Sequence, residues 1–380
     1  MNTIYLDNSA TTRVSQAAAT AAMKAMTESF GNPSSGHACG RAAGRLLADS
    51  RSVLAKALGA SSDEVFFTSG GTEADNWAII CGAGHNARVG KHVVTTAVEH
   101  DAVLKSAERL KADGFEVEYI KPDGEGNITV EQVLSAIRPD TALVSIMMVN
   151  NETGCVFPIS EISAGMKRMG SRALLHTDAV QGFLKLQLKA KTLGADMISV
   201  SSHKIHGPKG CGALYVRKGL HLPPLIVGGG QESGMRSGTE GMPAIAGFAA
   251  AAGEGFAGLN ANAAHMYELK RRLTELLREK VPEAVLIGSG SAPHILSLSL
   301  PGYRSEVIMN YLDARGICVS RGSACKKGRR SHVLEAMGLD NDIVDGSIRV
   351  SFCPENTLDE VETFVSELAN ARDGLFKTLK

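Results

Sequence analysis

Short apolar runs alternate with longer segments of helical spacing along most of the chain. The runs at residues 65–68, 92–96, 115–120, 142–149, 172–175, 195–200 and 211–216 read as strands. Between them, apolar residues recur on one helical face, as at Ala43, Leu47, Val53, Leu54 and Leu58, where Gly59 stops the helix. The same spacing predicts helices at 15–28, 101–111, 130–137 and 159–169, and one that begins near Thr72 and runs through Ile80. Apolar strands alternating with helices predict an α/β large domain with a mainly parallel, seven-stranded sheet covered on both faces. A long helical region from Pro243 to about Lys280 then leaves that domain. Strands at 295–300 and 347–351, with helices at 306–315 and from Leu358, predict a small α+β domain. The expected division is a large domain over 13–255 and a small one formed by 1–12 with 256–380.

In such sheets, ligands bind at the carboxyl ends of the strands. Thr72, His100, Asn150-Asn151-Glu152, Asp178 and Lys204 all fall there. Taken singly, each is an ordinary cap or turn residue; Thr72, for one, reads equally as a helix cap with Asp75 behind it. Together, at the ends of successive strands, they predict a site. The strand–glycine–helix sequence Thr68-Ser69-Gly70-Gly71-Thr72 adds free backbone amides suited to a phosphate. The glycine-rich loop that closes with Arg236-Ser237-Gly238-Thr239 suggests a second anion contact.

The most informative stretch is Ser201-Ser202-His203-Lys204-Ile205-His206-Gly207-Pro208. An ammonium at the end of a buried strand is costly, and its pKa falls until it neutralises. The neutral amine is a nucleophile suited to carbonyl chemistry. A surface lysine in a turn is the plainer reading. The motif His176-Thr177-Asp178-Ala179-Val180-Gln181 on the preceding strand argues against it. A lysine for the aldehyde and an aspartate for the pyridine nitrogen are what pyridoxal 5'-phosphate (PLP) requires.

Charge and cysteine usage narrow the setting. Lys+Arg and Asp+Glu are both 40, so net charge is zero. That argues against a general binder of nucleic acid or membrane surfaces. The seven cysteines are scattered without a CxxC pair, which suits free thiols in a reducing cytoplasm and predicts neither a disulfide framework nor a metal site. The N-terminus resembles neither a signal nor a transit peptide, and no apolar run is expected to approach transmembrane length. Cys325 stands apart, in Ser320-Arg321-Gly322-Ser323-Ala324-Cys325-Lys326-Lys327-Gly328-Arg329-Arg330. Its basic surroundings favour a thiolate; a solvated turn with an incidental thiol is the alternative.

In this order, these segments resemble cysteine desulfurases of the NifS/IscS type, in the class V aminotransferase branch of fold-type I PLP enzymes. The resemblance spans essentially the whole chain. It is carried also by Tyr5-Leu6-Asp7-Asn8-Ser9-Ala10-Thr11-Thr12, Phe30-Gly31-Asn32-Pro33-Ser34-Ser35, Glu99-His100 and Asn150-Asn151-Glu152-Thr153-Gly154. It implies that Lys204 holds PLP as a Schiff base, that Asp178 pairs with the ring nitrogen, that Gln181 contacts the ring oxygen and that His100 stacks on the ring. It implies a phosphate held by Thr72, Ser201 and His203, joined by Thr239 from the other subunit of a homodimer with a shared active site. Asn151 and Arg349 would bind the carboxylate of L-cysteine. Cys325 would receive the sulfur as a persulfide and pass it to an acceptor, an iron–sulfur scaffold or a tRNA-thiolation enzyme. The chain departs from the family pattern after Cys325, where the link to Ser331 is short and more basic. A selenocysteine lyase or another class V enzyme such as a transaminase is the alternative activity, and transamination has no need of Cys325.

Overall fold

The computed structural model describes residues 3–321 and 330–377. The first strand, β1 (Ile4–Tyr5), lies outside the main sheet, whose seven strands run side by side in the order 65–68, 212–216, 197–201, 174–178, 141–145, 92–96 and 116–120. In chain order these seven are β2 (Val65–Thr68), β3 (His92–Thr96), β4 (Glu116–Ile120), β5 (Thr141–Ser145), β6 (Leu174–Asp178), β7 (Met197–Ser201) and β8 (Gly212–Val216). Only β8 is reversed, pairing antiparallel with both β2 and β7; the pairs from β7 to β4 are parallel. Successive side chains on a strand point to opposite faces. Val93, Leu143, Leu174 and Met197 accordingly face one core with Trp77 and Ile79. Their neighbours Val94, Val144, Leu175 and Ile198 face the other, with Phe183 and Phe248. Both faces are covered, as a parallel sheet requires.

A third core gathers β10 (Ile295–Ser299), β12 (Ser347–Ser351) and the helix Leu358–Gly374 around Leu298, Ile348, Val350, Phe352 and Phe364. Alternation along β12 sends Ile348 and Val350 into this core and turns Arg349 the other way. Leu6 is buried there too, and the segment around it crosses to the main sheet. Ser9 donates its N–H to Ser351 Oγ at 2.9 Å, while its carbonyl accepts from Lys204 and Gln181. The N-terminal segment is therefore a strap between the two regions.

Three local outcomes differ from expectation. The helix after β2 starts at Gly71, so Thr72 lies inside its first turn rather than capping it, and the helical path goes on through a π-helical turn at Trp77–Cys81. β5 ends at Ser145, although Ile146 and Met148 still donate to the carbonyls of His176 and Asp178. The helix Met242–Lys280 is long and apolar enough to cross a membrane by length and composition, against the expectation of no such run. Its apolar positions pack inward: Phe248 and Ala252 in the main core, Met266, Leu269, Leu273 and Leu277 in the small one.

Candidate active site

A cleft of about 360 Å³ opens at the carboxyl ends of the parallel strands. Thr72, His100, Asn151, Asp178, Gln181, Ser201, His203, Lys204 and Arg349 all line it. A larger cavity of about 560 Å³ lies at the opposite ends of β6 and β7, bordered by exposed Lys167, Arg172 and Lys191, and contains none of these residues.

Lys204 ends the single 3-10 turn Ser202–Lys204 that follows β7. Its Nζ donates to the carbonyl oxygens of Ser9 and, at 2.8 Å, Ala10, so the amine is aimed by the strap. The chain must then turn away abruptly. His206 adopts a left-handed conformation (φ 67°), and a Cβ at Gly207 would come within 2.1 Å of Ser202 Oγ. On the neighbouring strand, Asp178 is 5% exposed and accepts from the Val180 N–H at 2.9 Å. Burial pushes its pKa up, against the pull of His100, that N–H and Lys204. Gly71 brings the helix start against this turn, since any Cβ there would meet Val180 Cγ2 at 2.8 Å.

His100 caps the helix Asp101–Ala112 by accepting the Ala102 N–H on Nδ1 at 3.1 Å, which leaves the proton on Nε2. His203 is pushed down to about 4, by burial first and then by the charges of Lys204 and Lys209. Ser201 Oγ is fully buried without a hydrogen-bond partner. Gln181 donates from Nε2 to Ser9 O at 2.9 Å. Arg349 donates from Nη1 to Asn151 O at 2.8 Å and from Nη2 to Asp7 at 2.7 Å.

Thr239 is exposed and does not line the cleft of its own chain. In the same loop, Arg236 pairs with Glu73 at 2.8 Å. Cys325, Lys326, Lys327 and Arg329 lie outside the described residues. The flanks of that segment are anchored. Arg321 pairs with Glu306, and Arg330 grips Asp345 through Nε and Nη2. Those two arginines are thus each bound to a carboxylate. Ser331 Oγ donates to Glu152 Oε2, and His332 Nε2 to the carbonyl of Glu99 at 3.1 Å, which seats the exit of the segment on the cleft wall.

Sequence reasoning missed a buried acid layer beneath the cleft. Glu99 is completely buried, accepts from Thr96 Oγ1 and the Met147 N–H, and is raised to about 8 chiefly by desolvation. Asp75 is raised well above its ordinary value by burial and by the charge of Asp178. His176, pushed down to about 3 by burial, sits neutral between Ser145 Oγ and Ser199 Oγ. Burial of acidic residues inside helices and strand ends has no signature in local spacing.

The aminotransferase class-V family model matches residues 4–364. A cysteine desulfurase of Trichormus azollae is 41% identical over 369 residues, covering 96% of this chain and 92% of that protein. Cysteine desulfurase IscS of Methanosarcina thermophila is 40% identical, covering 94% and 89%. Among solved structures, a NifS-like protein superposes with a TM-score of 0.93 at 38% identity over 98% of this chain and all of that one. SspA in complex with cysteine gives a TM-score of 0.80 at 32% identity, covering 93% of this chain and all of SspA. With the sheet order, the cleft and these relatives in agreement, the chain belongs to the class-V aminotransferase family, in its cysteine desulfurase branch.

Proposed function

We propose that the chain is a PLP-dependent cysteine desulfurase. It converts L-cysteine to L-alanine and places the sulfur on Cys325 as a persulfide, for an acceptor protein in iron–sulfur cluster assembly or tRNA thiolation. The observation that carries this reading is one cleft holding an aimed amine (Lys204), a buried carboxylate (Asp178) and a guanidinium (Arg349). The donor set fits PLP. Lys204 suits the aldehyde and Asp178 the pyridine nitrogen. His100, on the cleft wall, suits stacking on the ring. The orphaned Ser201 hydroxyl, Thr72 and His203 suit the phosphate, and Gln181 the ring oxygen. When bound, PLP supplies an electron sink that makes the Cα proton of the substrate acidic.

The chain's own groups do the rest. Arg349, backed by Asn151, receives the substrate carboxylate through its planar fork. Lys204 Nζ takes and returns protons at Cα. The Cys325 thiolate attacks the substrate sulfur: the Cβ–S bond breaks, an S–S bond forms, and the carbon skeleton leaves as alanine after protonation at Cβ. The charges of Lys326, Lys327 and Arg329 favour that thiolate. Thr239 is assigned to the phosphate of a second copy's site, in a cytoplasmic homodimer. The separate cores around Phe248 and Phe364 support a large domain over 13–255 and a small one over 1–12 with 256–380. The test is incubation of the purified holoenzyme with L-cysteine and dithiothreitol. Alanine and sulfide should appear in equal amounts. A keto acid product, or alanine without sulfide, would contradict the reading.

A further inference from the structure

Gln181 is held at two places, and only one of them is near the reacting groups. Its Nε2 donates to Ser9 O at 2.9 Å. A backbone carbonyl can only accept, so this contact fixes which end of the amide is nitrogen. Oε1 must then face the other way, where His294 Nε2 lies 3.4 Å from it. His294 precedes β10 and is 1% exposed. With a carboxamide oxygen opposite, Nε2 must carry the hydrogen and Nδ1 must be bare. The surroundings agree. Nδ1 has no partner, and burial first, then the charges of Lys185, Lys270, Arg349 and Lys204, disfavour a second proton on this ring. The ring is a permanent donor toward Gln181. The amide's second N–H has no partner among the described residues, and Gln181 lines the cleft.

We infer that His294 is a positioning residue: by locking the amide of Gln181, it commits the free N–H to the cleft as a fixed donor to the ring oxygen of PLP. The inference rests on the PLP reading above. A donor at that oxygen favours the state in which the oxygen carries more negative charge, which is the deprotonated state of the bound chromophore. With the lock removed, Oε1 is left without a donor, the amide reorients, and the chromophore holds its proton to higher pH.

The experiment is a pH titration of the visible absorption band of the PLP holoenzyme, without substrate. The variants are His294→Phe and His294→Met, both donor-free and of similar bulk, and His294→Gln, which retains a donor. The two donor-free variants should titrate higher than wild type by about half a pH unit or more, the scale set by one modest hydrogen bond. His294→Gln should return toward wild type. In a Gln181→Leu background, His294→Phe and His294→Met should add no further shift. Unchanged titration in the donor-free variants, an equal shift in all three, or a full shift that persists without Gln181 would each overturn the inference. If one donor-free variant does not fold, the other gives the same reading. Failure of the PLP reading looks different, because wild type itself would then show no visible band.

Discussion

Arg349 Nη2 and Asp7 Oδ1 meet at 2.7 Å, an ion pair between β12 and the N-terminal strap. The arginine side chain is 3% exposed and the aspartate 20%. A guanidinium held by Asp7 on one nitrogen and by Asn151 O on another has its plane fixed before substrate arrives. The prediction separates charge from geometry. Arg349→Lys keeps the charge and loses the fork, so KM for L-cysteine should rise about tenfold or more. Asp7→Asn keeps the fork and loosens it, so KM should rise only a few-fold. That variant should also lose about 1–3 kcal/mol of stability, less than a fully buried pair would, because Asp7 is partly exposed. Steady-state kinetics and denaturant unfolding check both; equal KM changes would count against a positioning role for Asp7.

Ser201 Oγ is buried with no partner, a cost unless a ligand satisfies it. Ser201→Ala should weaken PLP binding to the stripped protein by roughly tenfold, the scale of a hydrogen bond to a charged group. The PLP-free protein should be no less stable than wild type. Equilibrium titration with PLP and thermal unfolding without it give the two readings. A loss of stability with unchanged PLP affinity would return Ser201 to a structural role.

Burial pushes the Glu99 carboxyl up to about 8 in the folded chain, from an ordinary 4.5. Between those values the folded state keeps a proton that the unfolded state releases, so stability falls as pH rises through that window. Below it both states are protonated and the group contributes nothing to pH dependence. Asp75 and Asp178, also raised, act in the same direction. Glu99→Gln removes one proton's share, at most about 1.4 kcal/mol per pH unit. The melting temperature of the variant should therefore gain on wild type between about pH 6 and 8. Parallel curves would show that Glu99 is already ionised in the fold.

Much of the fold was legible because strand and helix periods are local. The ranges predicted for β2 and β3 match the structure, and of the residues expected at the strand ends Thr72, His100, Asn151, Glu152, Asp178 and Lys204 line one cleft, while Asn150 donates to Val98 O instead. The strands β9 (Val285–Ile287) and β11 (Ile317–Cys318) were missed, being too short to show a period. Contacts between distant segments were not legible at all. Asp7 and Arg349 lie 342 positions apart, and His294 reaches Gln181 across 113. Nor could spacing show that Arg236 would be taken by Glu73, since that depends on how a glycine-rich loop folds back on a helix start. Pattern reports which face a residue is on; partners across the fold are set by packing.

The central claim is that sulfur moves from L-cysteine to Cys325. One turnover of the holoenzyme with L-cysteine, without reductant, followed by mass spectrometry of the cysteine-containing peptides, tests it most directly. The account predicts one added sulfur atom on the Cys325 peptide and about one alanine per subunit. Cys325→Ser should keep bound PLP and gain no sulfur. Sulfur on another cysteine such as Cys39 or Cys318, or alanine formed at the wild-type rate by Cys325→Ser, would contradict it.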